Sequence, residues 1–313
     1  MQSDLFSRRF SRRSLLQGWT GAMLLGGFTA PFRGLRVASA EGEVQPANLG
    51  TLTLVVGGLD TRVPGEPENT DVLKIARVDV PNRTVRVISL PRDLFVEIPG
   101  FYPDKITRAY DFGSKADSEA FKAGAATVRD TIEHNFGISV DGAVMTTFGG
   151  FEDVVDALGG VDVNNPYDVA DNEYPTIDYG YKSIYYPAGP LHLNGEEALE
   201  FTRTRHQDGD DGRVMRQELV IRGMLERAHD PDISFDLPDL VTKYRKSVRT
   251  DLGKSKQLAL ALAAPDFTND DVVFTTLNGY IYADYAPNGM WIYSGDWTQI
   301  PGYVQGFLDG SIG

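Results

Sequence analysis

The chain has 313 residues, 44 acidic and 30 basic, and it contains no cysteine. This length suffices for one large domain, and the lack of cysteine excludes a disulfide framework, a thiolate metal site and a cysteine nucleophile. The formal charge of -14 opposes contacts with phosphate backbones, so no nucleic-acid partner is expected.

Residues 1–40 differ in composition from the rest. They hold six of the 30 basic residues and one of the 44 acidic ones, which leaves the remaining chain with a formal charge of -19. A twin arginine at 12–13, an uncharged run over 14–32 and small residues before a cleavage site follow in that order. We expect a twin-arginine (Tat)-like signal peptide, cleaved after Ala40 or kept as a membrane anchor through 14–32. The rest of the chain would then lie outside the cytoplasmic membrane.

Residues 41–50 are expected to form a linker, and residues 51–313 a single domain in which strands and helices interleave, which is typical of an α/β fold. Residues 164–190, rich in Tyr, Asp and Pro, are expected to be a long irregular segment, either functional or ordinary packing. The predicted elements are, in chain order, a strand over 51–56 ended by Gly57, a hairpin of strands over 71–78 and 84–90, a helix over 121–136 ended by Gly137, a strand over 138–146, a helix over 148–158, a strand over 161–163, a helix capped by Asn194, a helix over 213–228, a strand over 272–277 and a helix over 300–308.

Four arginines are concentrated in the stretch 203–216 of this acidic protein. On a helix, Arg213, Arg216 and Gln217 share one face, and Arg203 and Arg205 point the same way if their stretch is extended. Arginine suits phosphate because its planar donors bind two oxygens at once and stay charged. The cluster therefore indicates an anion site. The alternative is a solvated helix face that neighbouring aspartates neutralise.

Two aspartates stand at the ends of adjacent predicted strands. Asp60 follows the first strand, and Asp71 opens the next. Such a pair can hold Mg²⁺, which often takes one or two protein carboxylates together with phosphate oxygens and water; the alternative is that both are ordinary turn residues. Arg92 follows the strand that ends at residue 90 and joins this site only if it faces the same edge. Together these groups suggest a cation bridging a pyrophosphate among arginines.

Several motifs in a fixed order resemble those of the LytR-CpsA-Psr family of cell-envelope proteins. The resemblance covers about residues 51–228, and the later chain carries no recognisable motif. The motifs are LDTR at 59–62, TDV at 70–72, SLPRD at 89–93, DKI at 104–106, VDALGGVDV at 155–163, LNGEEAL at 193–199, RTR at 203–205 and DGRVMRQ at 211–217.

The resemblance implies an αβα sandwich with a central mixed β-sheet and an apolar groove for a polyprenyl tail. It also implies a Mg²⁺-dependent phosphotransferase that moves an anionic glycopolymer, such as a teichoic acid, from a polyprenyl-pyrophosphate carrier to peptidoglycan. The implied partners are that lipid-linked glycopolymer, peptidoglycan and the membrane surface, with no nucleic acid. The apolar candidates for the groove, each equally suited to the core, are Phe148, Phe151, Val154, Val155, Leu158, Val220, Ile221, Met224 and Leu225.

The resemblance also assigns residue roles. The residues implied to be catalytic are Asp60, Asp71, Arg92, Arg203, Arg205, Asp211 and Arg213. Those implied to bind the substrate are Arg62, Lys105, Arg216 and Gln217. Asp60 and Asp71 would hold Mg²⁺, the arginines and Gln217 would bind the pyrophosphate, and Asp211 would assist the acceptor hydroxyl.

Three features depart from the family pattern. Asn69 stands where an arginine is usual, the N-terminus resembles a twin-arginine signal rather than a plain membrane helix, and the turn over 206–210 is expected to be shorter than usual on the acceptor side. Two alternatives to the transferase therefore stay open. One is a non-catalytic or regulatory protein that binds polyprenyl phosphates, and the other is a pyrophosphatase in which water replaces the sugar acceptor.

Overall fold

The computed structural model describes residues 37–39, 42–44, 49–60, 68–116, 119–176, 180–230 and 248–312. Nearly all of the predicted signal or anchor lies outside these residues, and so does Arg62. Within the described part of the chain, no helix has both the length and the apolar character needed to cross a membrane.

The domain contains strands throughout its length and seven α-helices in the described residues. The strands are β1 (Val37–Ser39), β2 (Gly42–Val44), β3 (Thr51–Asp60), β4 (Asn69–Asp79), β5 (Thr84–Leu90), β6 (Phe95–Val96), β7 (Asp104–Lys105), β8 (Gly142–Thr147), β9 (Val161–Asn165), β10 (Val169–Pro175), β11 (Tyr181–Tyr186), β12 (Gly189–Leu193), β13 (Val248–Thr250), β14 (Val272–Thr276), β15 (Ile281–Tyr285) and β16 (Trp291–Gly295). The helices are α1 (Ala109–Ala116), α2 (Ala120–Phe136), α3 (Phe148–Ala157), α4 (Gly195–Arg203), α5 (Gly209–His229), α6 (Lys254–Ala263) and α7 (Ile300–Asp309).

A six-stranded sheet in the order β13-β8-β3-β4-β5-β14 forms the centre of the domain. It is mixed, because β3 pairs with β8 and β5 with β14 in parallel while the other neighbours are antiparallel. Alternating side chains of the strands supply a core to each face. One core packs against α3, α4 and α5 and the other against α2 and α7. This is the αβα sandwich that the sequence analysis expects.

Local signals explain several boundaries. The predicted hairpin is β4–β5, and α2 ends at Gly137, whose φ of 67° is accessible to glycine without strain. Helix α4 begins with a capping box in which the Asn194 side chain accepts from the Glu197 backbone while the Glu197 side chain accepts from the Asn194 backbone. The sequence therefore specifies these ends by itself.

Several predicted elements differ from the structure. Strand β8 begins at Gly142 rather than at residue 138, and α5 begins at Gly209 rather than at residue 213. Strand β3 does not end at Gly57 but continues to Asp60, because β4 and β8 pair with it on both sides through this stretch. A Cβ at Gly57 would lie 2.3 Å from Sδ of Met145, so glycine is needed there for close packing rather than for a turn. The segment 164–190 is not irregular either, since it contains the β10–β11 hairpin and reaches β12.

Candidate functional site

A β-bulge presents Asp71 at the end of the central sheet. Across the β3–β4 pair, Gly58 lies opposite Val72 but Leu59 lies opposite Thr70, so Asp71 is the extra residue. Bulges commonly redirect a side chain near functional sites. Asp60 is the last residue of β3 and pairs with Asn69. The two aspartates therefore stand at neighbouring strand ends, as the sequence analysis expects.

Arg92 joins Asp71 at this edge. Its Nη1 donates a hydrogen bond of 2.8 Å to Oδ1 of Asp71, and its Nε lies 3.5 Å from Oδ2 of Asp93. Burial alone would lower the pKa of Arg92, but the carboxylates of Asp71 and Asp93 outweigh burial and raise it. Arg92 is therefore a fixed cation that faces the same edge as Asp71.

Arg213 reaches the same edge from the other half of the chain. It lies in the first turns of α5, is 6% exposed, and forms an ion pair of 2.9 Å with Asp210. Burial, reinforced by the positive charges of Arg92 and Arg205, lowers the pKa of Arg213, while Asp210 and Asp71 oppose this shift. The electrostatic coupling to Asp71 and Arg92 places the three groups in one cluster, which we call the Asp71–Arg92–Arg213 cluster.

Two donors in this cluster are unsatisfied. The Nε atoms of Arg92 and Arg213 are buried, and among the described residues neither forms a hydrogen bond; that of Arg92 has the Asp93 carboxylate at 3.5 Å, as an ion pair only. Buried polar groups are normally paired because an unpaired one costs free energy. The two guanidinium groups therefore have donors available to an oxygen-rich anion such as phosphate.

The last part of the chain completes the rim of this site. The Lys105 ammonium forms an ion pair of 2.6 Å with Asp93 and lies 5.9 Å from the ring centre of Trp291. The backbone N–H of Tyr293 donates to the Asp93 carbonyl at 2.9 Å. Burial, together with Asp210, Asp211 and Asp93, raises the pKa of the Tyr293 hydroxyl.

Asp211 is exposed, and its Oδ1 accepts a hydrogen bond from Nδ2 of Asn278 at 3.1 Å. Tyr293 and Asn278 are neighbours of the site that the sequence analysis did not identify. They lie in the motif-free region, and only the fold brings them here.

Arg216 has a different position from the one expected of a substrate-binding residue. It is 0% exposed, its Nε donates to the Phe201 carbonyl at 2.8 Å, and its terminal nitrogens bind the Thr204 carbonyl and the Asp208 carboxylate. Gly212 permits this contact, because a Cβ there would lie 2.0 Å from Cγ of Asp208. Arg216 thus stabilises the turn between α4 and α5. The expected role of Arg216 in substrate binding is corrected here, because its donors are used within the protein.

The other predicted residues are distributed around this turn. Arg203 ends α4 rather than lying in an extended stretch; its guanidinium stacks 4.0 Å from the ring centre of Phe148 and donates to the Tyr174 hydroxyl at 2.8 Å. Arg205 is exposed, and Gln217 is buried with Nε2 donating to the Thr202 carbonyl. Of these side chains, Arg205 is coupled electrostatically to Arg213.

Two apolar cavities lie between α5 and the sheet, and Val72, the neighbour of Asp71 in the chain, lines one of them. One runs past Val85, Leu225 and Phe274. The other runs past Phe148, Phe151 and Gln217. Of the groove candidates, Phe148, Phe151, Val220, Ile221 and Leu225 line these cavities, whereas Val154, Val155, Leu158 and Met224 belong to the core.

A divalent cation fits the aspartate pair in its donor chemistry. The described residues hold no group of three or more acidic, histidine or cysteine side chains suited to a metal. Mg²⁺ does not need such a group, because it often binds one or two carboxylates and takes its other oxygens from phosphate and water. Asp60 and Asp71 thus offer the type and number of protein donors that Mg²⁺ takes when it binds together with a phosphate.

The comparisons with known proteins identify the family of the chain. Residues 35–303 match the family model described as the LytR_cpsA_psr family. The polyisoprenyl-teichoic acid–peptidoglycan teichoic acid transferase TagV of Bacillus subtilis (strain 168) is 30% identical over 253 residues, which are 79% of this chain and 61% of TagV. The transferase TagU of Bacillus cereus is 31% identical over 213 residues, 67% of this chain and 63% of TagU. The chain thus spans less than two thirds of the length of these relatives.

Solved structures show the same architecture. The structure of B. subtilis TagV superposes with a TM-score of 0.64 at 26% identity, covering 83% of this chain and 98% of the TagV chain in that structure. A structure of TagT bound to LI-WTA superposes with a TM-score of 0.63 at 23% identity, covering 90% of this chain and 99% of the TagT chain in that structure. At that identity the likeness to TagT shows the fold alone.

Proposed function

The chain belongs to the LytR-CpsA-Psr family, and on that premise we propose that it is a Mg²⁺-dependent phosphotransferase. It would move an anionic glycopolymer, such as a teichoic acid, from a polyprenyl-pyrophosphate carrier to a hydroxyl of peptidoglycan. The related enzymes TagV and TagU are named for transfer of teichoic acid from a polyisoprenyl carrier to peptidoglycan.

The observation that carries this proposal is the Asp71–Arg92–Arg213 cluster beside the apolar cavities. Two buried guanidinium Nε–H donors there lack hydrogen bonds, and they lie next to a carboxylate that suits Mg²⁺. A lipid diphosphate has the matching parts, since its phosphates need cations and its tail needs apolar walls. The cavities lined by Ile221 and Phe274 would receive the tail.

The charge balance of the site also favours a diphosphate together with a divalent cation. The carboxylates Asp71, Asp93 and Asp210 offset the cations of Arg92 and Arg213 in the ligand-free protein. A bare diphosphate would bring excess negative charge beside these carboxylates. Mg²⁺ held by Asp60 and Asp71 would neutralise that charge and withdraw electrons from the transferred phosphorus.

The residues would divide the chemistry as follows. The acceptor hydroxyl attacks the phosphorus that carries the glycopolymer, the bond to the bridging oxygen breaks, and polyprenyl phosphate leaves. Arg92 and Arg213 would stabilise the charge that develops on the phosphate oxygens. Asp211, exposed on the first turn of α5, would take the proton of the acceptor hydroxyl.

This reaction places the protein at the outer surface of the cytoplasmic membrane, where its lipid carrier and peptidoglycan are both within reach. The predicted export signal at residues 1–40 agrees with that location. We therefore propose that the protein is exported, either free or anchored through residues 14–32, and that it has no nucleic-acid partner.

The test is transfer by the full-length protein from a lipid-diphosphate-linked glycopolymer to peptidoglycan, with and without Mg²⁺. Product linked by a phosphodiester, with release of polyprenyl phosphate, is expected only with Mg²⁺. Arg213→Ala should lower turnover by roughly 100-fold or more, while Arg77→Ala, on β4 but away from the cavities, should keep wild-type turnover. Phosphate release that needs no acceptor would support the pyrophosphatase. Binding without bond cleavage would support the non-catalytic alternative.

A further inference from the structure

Lys74 is a buried cation at the meeting point of the two apolar cavities. Its side chain is 4% exposed, and it lines both cavities together with Val56 and Ile221. Among the described residues that line either cavity, Lys74 is the one with a charged side chain. An ammonium group in such a wall is unexpected, because a lipid tail gains nothing from it.

Within the described part of the chain, no carboxylate forms an ion pair with Lys74, and Glu218 acts on it only at longer range. Its Nζ donates a hydrogen bond of 2.6 Å to Oγ of Ser89, which lies directly opposite on β5 and is neutral. Burial, together with the positive charge of Arg213, lowers the pKa of Lys74 from 10.5 to about 7, and Glu218 opposes the shift. A buried ammonium is costly unless an ion pairs with it. The site thus favours an anionic ligand that reaches Lys74.

The position of Lys74 relative to the cluster indicates which part of an anionic ligand would reach it. Lys74 and Asp71 are three residues apart on β4, a separation of about 10 Å along an extended strand. Lys74 is also close enough to Arg213 for their charges to interact. A ligand that extends from the cluster into either cavity therefore meets a wall that contains Lys74, about 10 Å along the strand from Asp71.

We propose that Lys74 binds the phosphate esterified to the polyprenol and so acts on the leaving group of the transfer. This inference rests on the proposed function. When the acceptor oxygen bonds to the phosphorus that carries the glycopolymer, the bond from that phosphorus to the bridging oxygen breaks. Its electron pair stays on the bridging oxygen of the departing polyprenyl phosphate, and the acceptor proton goes to Asp211. The Lys74 ammonium offsets the charge gained by that phosphate.

The test compares four ligands with three proteins. Full-length wild type, Lys74→Met and Arg77→Met are titrated in Mg²⁺ with farnesyl diphosphate, farnesyl monophosphate, farnesol and inorganic pyrophosphate. Methionine keeps the length of the side chain without its charge, and Arg77→Met removes a charge from the same strand outside the cavities. Lys74→Met should weaken the binding of both farnesyl phosphates by roughly ten-fold or more and leave the binding of farnesol unchanged. Inorganic pyrophosphate has no tail and would bind at the arginines, so its affinity should change by less than about three-fold.

The outcomes separate the inference from the proposed function. Unchanged binding of farnesyl diphosphate by Lys74→Met would overturn the role of Lys74, and so would an equal loss for inorganic pyrophosphate, since the anion would then not be the lipid-attached phosphate. Failure of the wild type to bind either farnesyl phosphate would overturn the proposed function itself. Circular dichroism checks the fold, and Lys74→Gln repeats the comparison if Lys74→Met is unfolded.

Discussion

Nη1 of Arg92 lies 2.8 Å from Oδ1 of Asp71, and this hydrogen bond joins the second residue after β5 to the bulge of β4. The bond leaves Asp71 as a shared partner of a cation within the protein and of any metal that arrives with phosphate. Asp71 thus connects the two functions of the cluster, which are to hold the arginine and to hold Mg²⁺.

Asp71→Asn should separate these two functions. Asparagine keeps an oxygen that accepts from Arg92, so the free energy of unfolding should change by less than about 1 kcal/mol. It lacks the negative charge that Mg²⁺ needs, so turnover should fall by roughly 100-fold. The Mg²⁺ dependence of transfer measures the effect. Wild-type turnover at the same Mg²⁺ concentration would contradict the assignment of Asp71 to the metal.

Replacing Arg216 should destabilise the fold, whereas replacing Arg205 should not. Arg216→Met leaves the buried face of the Asp208 carboxylate and two backbone carbonyls without their donor, and should destabilise the fold by about 3–5 kcal/mol. Arg205→Met removes an exposed side chain and should leave stability within about 0.5 kcal/mol of wild type. Urea unfolding measures both. A stable Arg216→Met variant that loses only diphosphate binding would restore its role as a substrate ligand.

The buried Lys74 should give the protein a pH-dependent stability. The folded state holds the pKa of Lys74 near 7, whereas the unfolded chain keeps the ordinary value of 10.5. Between these values the unfolded state binds the extra proton, so the contribution of Lys74 to stability rises as the pH rises. Lys74→Met should be more stable than wild type at pH 7, with the difference shrinking toward pH 10. Chemical unfolding at a series of pH values tests this, and a constant difference would show that Lys74 stays charged in the fold.

Filling the cavities should weaken the binding of the lipid tail without changing the binding of the diphosphate head group. Ile221 lines both cavities and is only partly buried, so tryptophan can enter the empty space. Ile221→Trp should weaken farnesyl diphosphate binding by roughly 100-fold while inorganic pyrophosphate binds as to wild type. Ile221→Val, which enlarges the space, is the matched control. Equal loss of both ligands would indicate a change of the cluster rather than a blocked cavity.

Much of the fold follows from local sequence signals. The β4–β5 hairpin, the end of α2 at Gly137 and the Asn194 cap each depend on residues close in the chain. The course of β3 through Gly57 and its parallel pairing with β8 depend on strands brought together by the whole domain. Those features are decided by tertiary packing, which composition does not report.

The site likewise contains features that the sequence predicts and features that only the tertiary structure shows. The motifs predict that Asp71, Arg92 and Arg213 share one edge, and their coupling in the structure agrees. The brace formed by Arg216 was not predictable, because helical spacing puts it on the face of Arg213 without showing that its donors are used internally. Tyr293 was missed because nothing in its local sequence indicates that β16 packs beside Asp93.

The most direct test of the central claim is a crystal structure of the protein with farnesyl diphosphate and Mg²⁺. We predict diphosphate density that contacts Nε of Arg92 and Arg213, a metal ion at Asp60 and Asp71, and a tail that passes Lys74 into the cavity lined by Ile221. A diphosphate bound at Arg203 beside Phe148, with the Asp71–Arg92–Arg213 cluster unchanged, would contradict the account.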